Sequence, residues 1–415
     1  MKNPDPGIGA GNPNPSTADV MVPAVPTAAR ATPPIALIFA VTATGIMANS
    51  IIAPLLPDIV DDFALSDAAT GLVVAAVALP GIFMAPIIGL VADRLGRRGV
   101  LVACLAIFGV AALVVSTAPS YPILLLGRFL QGFGAAGLIN LSVVIIGDHW
   151  DGAERTKLIG RNASILTIGL AIFPLVSGII AEFSSWRFAL APQLLALVVA
   201  AAAWRILPAG HRSSPGSISE QLHGLGVALR RPVLRTVVLA GFVVFVLIFG
   251  IFLATLPLHL ERRFELGVGA RGAMLSVPAI TASLVAFNLG RITTWFRRPT
   301  VLVTATVLFV VSFALMGLAS TLVLVAVACL LYGLGDGALI PILQDAAVTA
   351  APTEQRAAVV AVWVGFSRLG QTVGPLAAAV VFGLASTTAA LYAGAILAAA
   401  LLAMIVMSPL VRTAR

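Results

Sequence analysis

The sequence predicts an all-α membrane protein: twelve transmembrane helices in two pseudo-symmetric six-helix bundles. Three observations carry that prediction. The 415 residues are 60% hydrophobic and 10% charged, with a mean hydropathy of +1.06. An ordinary soluble domain carries about 25% charge, so this chain lacks the polar groups to cover a surface in water. Apolar stretches near the roughly 20 residues needed to cross a bilayer recur along its length. The chain also repeats itself at one constant offset.

Taken in order, residues 1–33 are rich in Pro, Gly and Ala, with only Lys2 basic near the start. They read as a disordered cytoplasmic tail, not as the basic-then-apolar pattern of a signal peptide. Candidate spans follow at roughly 34–57, 69–92, 99–117, 121–147, 158–181 and 187–207, which form the first bundle, 34–207. Residues 208–234 form a cytoplasmic linker, where Ser217 and Glu220 make a capping box for a short helix on the inner leaflet. Six more spans lie at 235–259, 270–292, 300–319, 321–344, 357–383 and 388–410, the second bundle, 235–410, before a cytoplasmic tail, 411–415.

Lys and Arg orient the bundle. Of 25 basic residues, Arg187, Arg262, Arg263 and Arg271 fall on one side and Arg128 and Arg368 within spans. All the others share the side of both termini, which is therefore cytoplasmic. The acids Asp58, Asp61, Asp62 and Asp67 lie in the first outer loop, where they weigh little on topology. The net charge of +8 is spread over short loops and forms no basic face, which excludes nucleic acid as a partner. Cys104 and Cys329 lie inside apolar runs and offer no disulfide framework or metal spacing.

The repeat has an offset of 201 residues. It aligns Phe63 with Phe264, Gly71 with Gly272, Gly89 with Gly290, Arg97 with Arg298, Arg155 with Arg356, Gly169 with Gly370 and Pro174 with Pro375. "QGFGAAGLI" (131–139) meets "YGLGDGALI" (332–340). Two halves in the same orientation imply a two-fold axis along the membrane normal, which suits a transporter with a midplane site between halves that rock.

With its loop Gly89-x-x-x-Asp93-Arg94-x-Gly96-Arg97-Arg98, the chain resembles the major facilitator superfamily over residues 34–410. Three further stretches are similar to its drug:proton antiporter branch. Span four has Arg128-x-x-Gln131-Gly132-x-Gly134, span five has Gly160, Gly169 and Pro174-x-x-Ser177-Gly178, and "LLPDI" (55–59) ends span one. Phe173 and Ser177 replace glycines that the branch has, while "GQTVGP" (370–375), with Gly374 and Pro375, keeps the Gly-Pro step in span eleven. The resemblance implies proton relay at Arg128 and a cytoplasmic gate at Gly89, Asp93, Arg94, Gly96, Arg97 and Arg98. It places Asp93 against the start of helix eleven, and its arginines would pair with Asp148 or Glu154. Many proton-coupled relatives carry an acid inside span one. Here that span reads "TATGIMANS", with Asn49 as its amide.

Charge at membrane depth costs about 2.5–3.5 kcal/mol on insertion scales and needs a reason. Asp336, mid-span ten with Tyr332 one turn away, reads as a protonation site or a contact for a cationic substrate, against a static ion pair. Arg128 and Gln131 share a face of span four; the plainer alternative is a donor to freed backbone carbonyls. Arg368 with Gln371 repeats the spacing in span eleven, to neutralise Asp336 or to meet an anion. Phe242, Phe245, Phe249 and Phe252 make an aromatic stripe in span seven, read as packing before pocket. Trp363 and Phe366 are better placed for a cavity wall, and Asn49 is a polar group of the cavity or a helix-to-helix contact. Gly169, Pro174, Gly178, Gly374 and Pro375 are read as helix-kink positions in spans five and eleven.

The reading is a monomeric, proton-driven exporter of lipophilic drugs in a bacterial inner membrane, without cofactor or metal. Its partners are the lipid bilayer, a small-molecule substrate and protons. One alternative is a facilitator-type exporter or importer of a specific metabolite, sugar, lipid or organic anion. A membrane enzyme or receptor is set aside, because His149, His211, His223 and His259 are scattered and no catalytic set clusters. No GxxxxGK[ST] phosphate loop supports drive by ATP.

Overall fold

The computed structural model describes residues 32–208, 226, 230–351 and 355–412, and its helices belong to one unit, Pro33–Arg415. Residues 1–31 of the expected tail, most of the 208–234 linker with its Ser217–Glu220 cap, and residues 413–415 lie outside the described residues.

Regular structure among the described residues is entirely helical, as expected of backbone that must satisfy its own polar groups in lipid. The first half holds α1 (Ile35–Ser50), α2 (Leu56–Asp62), α3 (Ala69–Leu95), α4 (Arg97–Ser116), α5 (Tyr121–His149), α6 (Gly152–Phe183), α7 (Trp186–Ala189) and α8 (Leu195–Ile206). The second holds α9 (Pro232–Val246), α10 (Leu256–Phe264), α11 (Val268–Trp295), α12 (Arg298–Leu318), α13 (Leu322–Ala350), α14 (Arg356–Leu384), α15 (Thr387–Met407) and the short α16 (Pro409–Arg412). Among the described residues, ten spans are long and apolar enough to cross a membrane, eleven if the bent α3 is one span. The 29-residue α14 stands where the remaining expected span lies.

Local chemistry explains the breaks. Pro54 and Pro57 lack an N–H, and the first span passes through a 3₁₀ turn, Ala53–Leu55, between α1 and α2. Pro192 does the same in the expected span 187–207, which is not one helix but α7, a 3₁₀ turn at Ala191–Leu194, and α8. Gly96, at φ 95°, ends α3 and opens α4. The Thr321 and Ser386 side chains accept from the N–H groups of Leu324 (3.3 Å) and Ala389 (3.1 Å), capping α13 and α15. Between α9 and α10 the chain widens into a π-helical stretch, Leu247–Thr255, where the Thr255 hydroxyl donates to the Gly250 carbonyl five residues back (2.8 Å). This corrects the aromatic stripe: the wider turn carries Phe252 away from the line of Phe245 and Phe249.

The repeat is visible as repeated contacts. Gly132 lies against the Val77 carbonyl and Gly333 against the Pro278 carbonyl, with no room for a Cβ at either. Gly134 meets Cys104 and Phe108, and Gly335 meets their equivalents Ala305 and Phe309. Two non-glycine residues adopt left-handed backbone, Ala64 (φ 51°) and Glu265 (φ 52°), and they too are equivalents.

The halves meet along α6 with α11 and α3 with α14. At each crossing a glycine sits directly on the carbonyl of a proline: Gly71 on Pro375, and its equivalent Gly272 on Pro174. Both α6 and α14 run through these prolines as continuous helices, which corrects the expectation that Pro174 and Pro375 break spans five and eleven. Gly178 lies against the Val268 carbonyl, Gly169 against Ile46, and Gly374 against Val246 and Gly250, so these motif glycines act as close-contact sites.

A methyl group at either crossing must push against backbone. Gly71→Ala and Gly272→Ala are each expected to cost about 1–3 kcal/mol, read as a matched fall in the thermal midpoint in detergent. Gly89→Ala, which opens onto free space, leaves the midpoint unchanged. Unequal effects of the two equivalents would contradict a symmetric seam.

Candidate functional site

One end of the seam is closed by charge. Arg262 in α10 reaches Asp61 at the end of α2 (2.6 Å) and Asp67 (2.9 Å), and Arg271 in α11, only 2% exposed, pairs with Asp58. The backbone N–H of Gly269 donates to Glu182 (2.9 Å). Every one of these contacts joins the first half to the second. We call this end the acidic-loop face. Arg187–Asp62 (2.7 Å), also there, stays within the first half.

At the other end, the arginine-loop face, the predicted gate residues pair within one half. Arg97 donates to Asp148, to the Val144 carbonyl (3.3 Å) and to Asp93 (3.4 Å). Arg98 donates to the Leu207 carbonyl (3.2 Å) and lies over Trp204 at 4.4 Å. Arg94 is exposed. Among the described residues, Asp93 pairs with Arg97, one turn away. The Arg97–Asp148 pair joins two parts of the same half, so moving the halves as bodies does not break it. Glu154 forms no ion pair with these arginines among the described residues. Gly89, Gly160, Gly290 and Gly365 have no atom within 4 Å of their Cβ positions.

At membrane depth, Arg128 is 0% exposed and fully engaged. Its guanidinium donates to the carbonyls of Ala48 (2.7 Å) and Val73 (3.2 Å), to Gln131 Oε1 (2.6 Å) and to Asn49 Oδ1 (2.8 Å). Gln131 donates to Gln193 (2.8 Å), which donates to the Met47 carbonyl (3.0 Å). One network thus ties α1, α3, α5 and the 3₁₀ turn before α8. Each of these acceptors is neutral, Asn49 among them. Gln193 and the backbone acceptors were not found from sequence. The only signal was a lone amide beside Pro192 in an apolar run.

Asp336 is in a contrasting position. Its Oδ1 is buried without a hydrogen-bond partner among the described residues. The expected neutralisation by Arg368 is not seen: no ion pair joins them among the described residues, and Arg368 instead donates to Gln371 (3.1 Å) and lies beside Gly81. The two residues sit on different helices with Arg368 turned toward α3.

The aromatic candidates divide into two groups. Phe245 meets Phe249 (6.1 Å between centroids) and Trp363 (6.2 Å, edge-on), with the Trp363 Nε1 buried and unpartnered among the described residues. Phe366 is partly buried nearby on α14. Tyr332 is no cavity wall. It is 3% exposed and stacks between Phe252 (4.3 Å) and Phe309 (4.8 Å) inside the second half. The interhalf residues Asp58, Asp61, Arg262 and Arg271 were also missed as site residues, although the 201-residue offset aligns Asp61 with Arg262.

A family model described as Major Facilitator Superfamily matches residues 38–356 and, in a second match, 265–414. The bacillibactin exporter of Bacillus subtilis is 25% identical over 257 residues, covering 59% of this chain and 63% of that protein. Multidrug resistance protein 1 of the same organism is 25% identical over 252 residues, with the same coverage. The MFS-type transporter gkaD of Penicillium citrinum is 37% identical over 101 residues, 24% of this chain and 17% of that protein. The matches thus span less than two thirds of these relatives' lengths. Among solved structures, the human organic anion transporter MFSD10 (TETRAN) superposes with a TM-score of 0.67 at 20% identity, covering 89% of this chain and 98% of that one. A mutant form of the nucleoside transporter NupG gives 0.71 at 14%, covering 89% and 99%. These likenesses are of fold.

The Arg128 network yields a stability prediction. Arg128→Met orphans four buried acceptors and is expected to cost about 3 kcal/mol or more. Arg368→Met, losing one side-chain partner, costs less than half as much. Equal losses on thermal unfolding would mean that the network does not hold the first half together.

Proposed function

We propose a specific task for this chain, which belongs to the Major Facilitator Superfamily: secondary active export of lipophilic small molecules, driven by protons and carried out by alternating access. The observation that carries the proposal is Asp336. A buried carboxyl oxygen without a partner is costly as an anion and comfortable when protonated, so the group has a reason to change state. Arg128 has no such freedom, since its donors are already taken by neutral acceptors. We assign proton coupling to the second half at Asp336 and give Arg128 the role of holding the first half rigid.

The named relatives include an exporter and a multidrug resistance protein, which favours efflux. The placement of Lys and Arg favours a cytoplasmic arginine-loop face with both termini inside; twelve spans and a bacterial inner membrane complete the reading. On that orientation the acidic-loop contacts close the outer face, and substrate loads from the cytoplasmic side once the arginine-loop face is open. Phe245, Phe249 and Phe366 would form the apolar wall of the cavity, with Trp363, its Nε1 against Gly241, packed behind Phe245. We take the unit to be a monomer with halves 34–207 and 235–410 joined by 208–234. One observation favours a second reading: Arg368, without an acid partner among the described residues, suits an organic anion.

Reconstituted protein is expected to move cationic lipophilic dyes against a proton gradient. Asp336→Asn should abolish the response to the gradient, at least about a hundredfold if proton transfer is essential, while folding and dye binding persist. An unchanged response would remove Asp336 from coupling. Movement of anions alone, lost in Arg368→Gln, would establish the second reading.

A further inference from the structure

Asp61 and Arg262 are 201 residues apart, which is the offset of the repeat, and their side chains touch at 2.6 Å. In an object with two-fold symmetry, equivalent points meet only beside the axis. This ion pair therefore stands on the pseudo-two-fold axis, at the centre of the acidic-loop face. The two glycine-on-carbonyl crossings, Gly71 on Pro375 and Gly272 on Pro174, flank it as a symmetric set. Each partner is three residues before a left-handed corner, Ala64 in one half and Glu265 in the other. At the second corner the Glu265 and Leu266 N–H groups return to the carbonyls of Glu261 and Leu260 (2.9 and 3.2 Å), which ends α10 and fixes where Arg262 projects.

An axis position always faces its own equivalent. Had the two halves kept the same residue there, acid would face acid or base would face base, and the face would be pushed open. Opposite charges turn that position into an attraction. The surrounding groups reinforce it: Asp67 also binds Arg262, and Asp58 holds Arg271 to one side. Arg187–Asp62, one residue along from Asp61, lies within a half and has no equivalent hold on the seam.

We infer that Asp61 and Arg262 form the latch of the acidic-loop gate, an axis-centred ion pair that keeps this face closed and must part for it to open. The inference rests on the alternating-access reading above. It assigns a role to a loop whose acids carry little topological information.

The test is labelling by a membrane-impermeant maleimide from the acidic-loop side of sealed vesicles. The reporter is Ala379→Cys, a seam residue packed on Gly71 and 9% exposed. Both native cysteines are buried, and the protein without the reporter sets the background. Arg262→Asp and Asp61→Arg, each of which puts like charges on the axis, are expected to raise the labelling rate about tenfold. Glu261 also pairs with Arg262 (3.0 Å), so the combination Asp61→Arg, Arg262→Asp, Asp67→Asn and Glu261→Gln restores an opposite pair without a further acid facing position 262. It should label within about threefold of the parent. Arg187→Asp should label like the parent. If a single reversal does not fold, Asp61→Asn is expected to give about threefold. Unchanged labelling in the reversals or in Asp61→Asn, or a combination that labels as fast as the single reversals, would overturn the latch. Labelling needs neither substrate nor gradient. A failed latch therefore leaves the transport reading standing, and lost transport with the expected labelling pattern does the reverse.

Discussion

The two halves touch where a glycine stands in place of a side chain and another helix's carbonyl comes down onto it. Lipid offers no hydrophobic drive for helix to bind helix, so contact depends on close packing, with Cα–H···O contacts as a minor aid. Gly71 on Pro375 and Gly272 on Pro174 meet that demand twice, once on each side of the pseudo-axis. Both crossings lie at the acidic-loop face. The ion pairs between the halves lie there too, since charged groups at the edge of the membrane keep some access to water. The seam is thus tight at one end, and the far glycines Gly89 and Gly290 face open space. A joint held at one end is what a rocking pair of bodies needs.

The buried charges solve the same desolvation problem in opposite ways. Arg128 surrounds itself with neutral acceptors drawn from three helices and a 3₁₀ turn. Such a network is rigid, because moving any member strands a buried donor. Asp336 has no such set on its Oδ1, so its preferred state depends on whether a proton or a cation is present. One half supplies a fixed frame and the other a group able to respond. Asn49 is consistent with this division: an acid at that position would make a charge pair with Arg128, and the amide gives a neutral hydrogen bond instead.

Much of this was legible in the sequence, and the losses have physical causes. Composition and span length gave the fold class, and the constant offset foretold which glycines and prolines would be equivalents. Prolines were a poor guide to breaks: Pro174 and Pro375, read as breaks, lie inside continuous helices, whereas Pro192, not read as one, sits in the turn that divides an expected span. What the offset did not reveal was contact: Gly71 and Gly272 align with each other, but each packs on a proline of the opposite half. The aromatic stripe failed because a 3.6-residue period was carried through a stretch that winds wider. Tyr332 was misread because periodicity gives a face of a helix, not what covers it, and Phe252 and Phe309 cover this one. Asp61 and Arg262 were both visible and one offset apart. They passed unnoticed because acids in outer loops carry little weight in topology.

The central claim is that one seam opens as the other closes. Spin-label distances measured across both faces in lipid test it most directly, one pair spanning the acidic-loop face and one the arginine-loop face. At rest the first distance should be short and the second long. Imposing a proton gradient with substrate present should lengthen the first and shorten the second in the same fraction of molecules. Two distances that change together, or an acidic-loop face that is open at rest, would contradict the account.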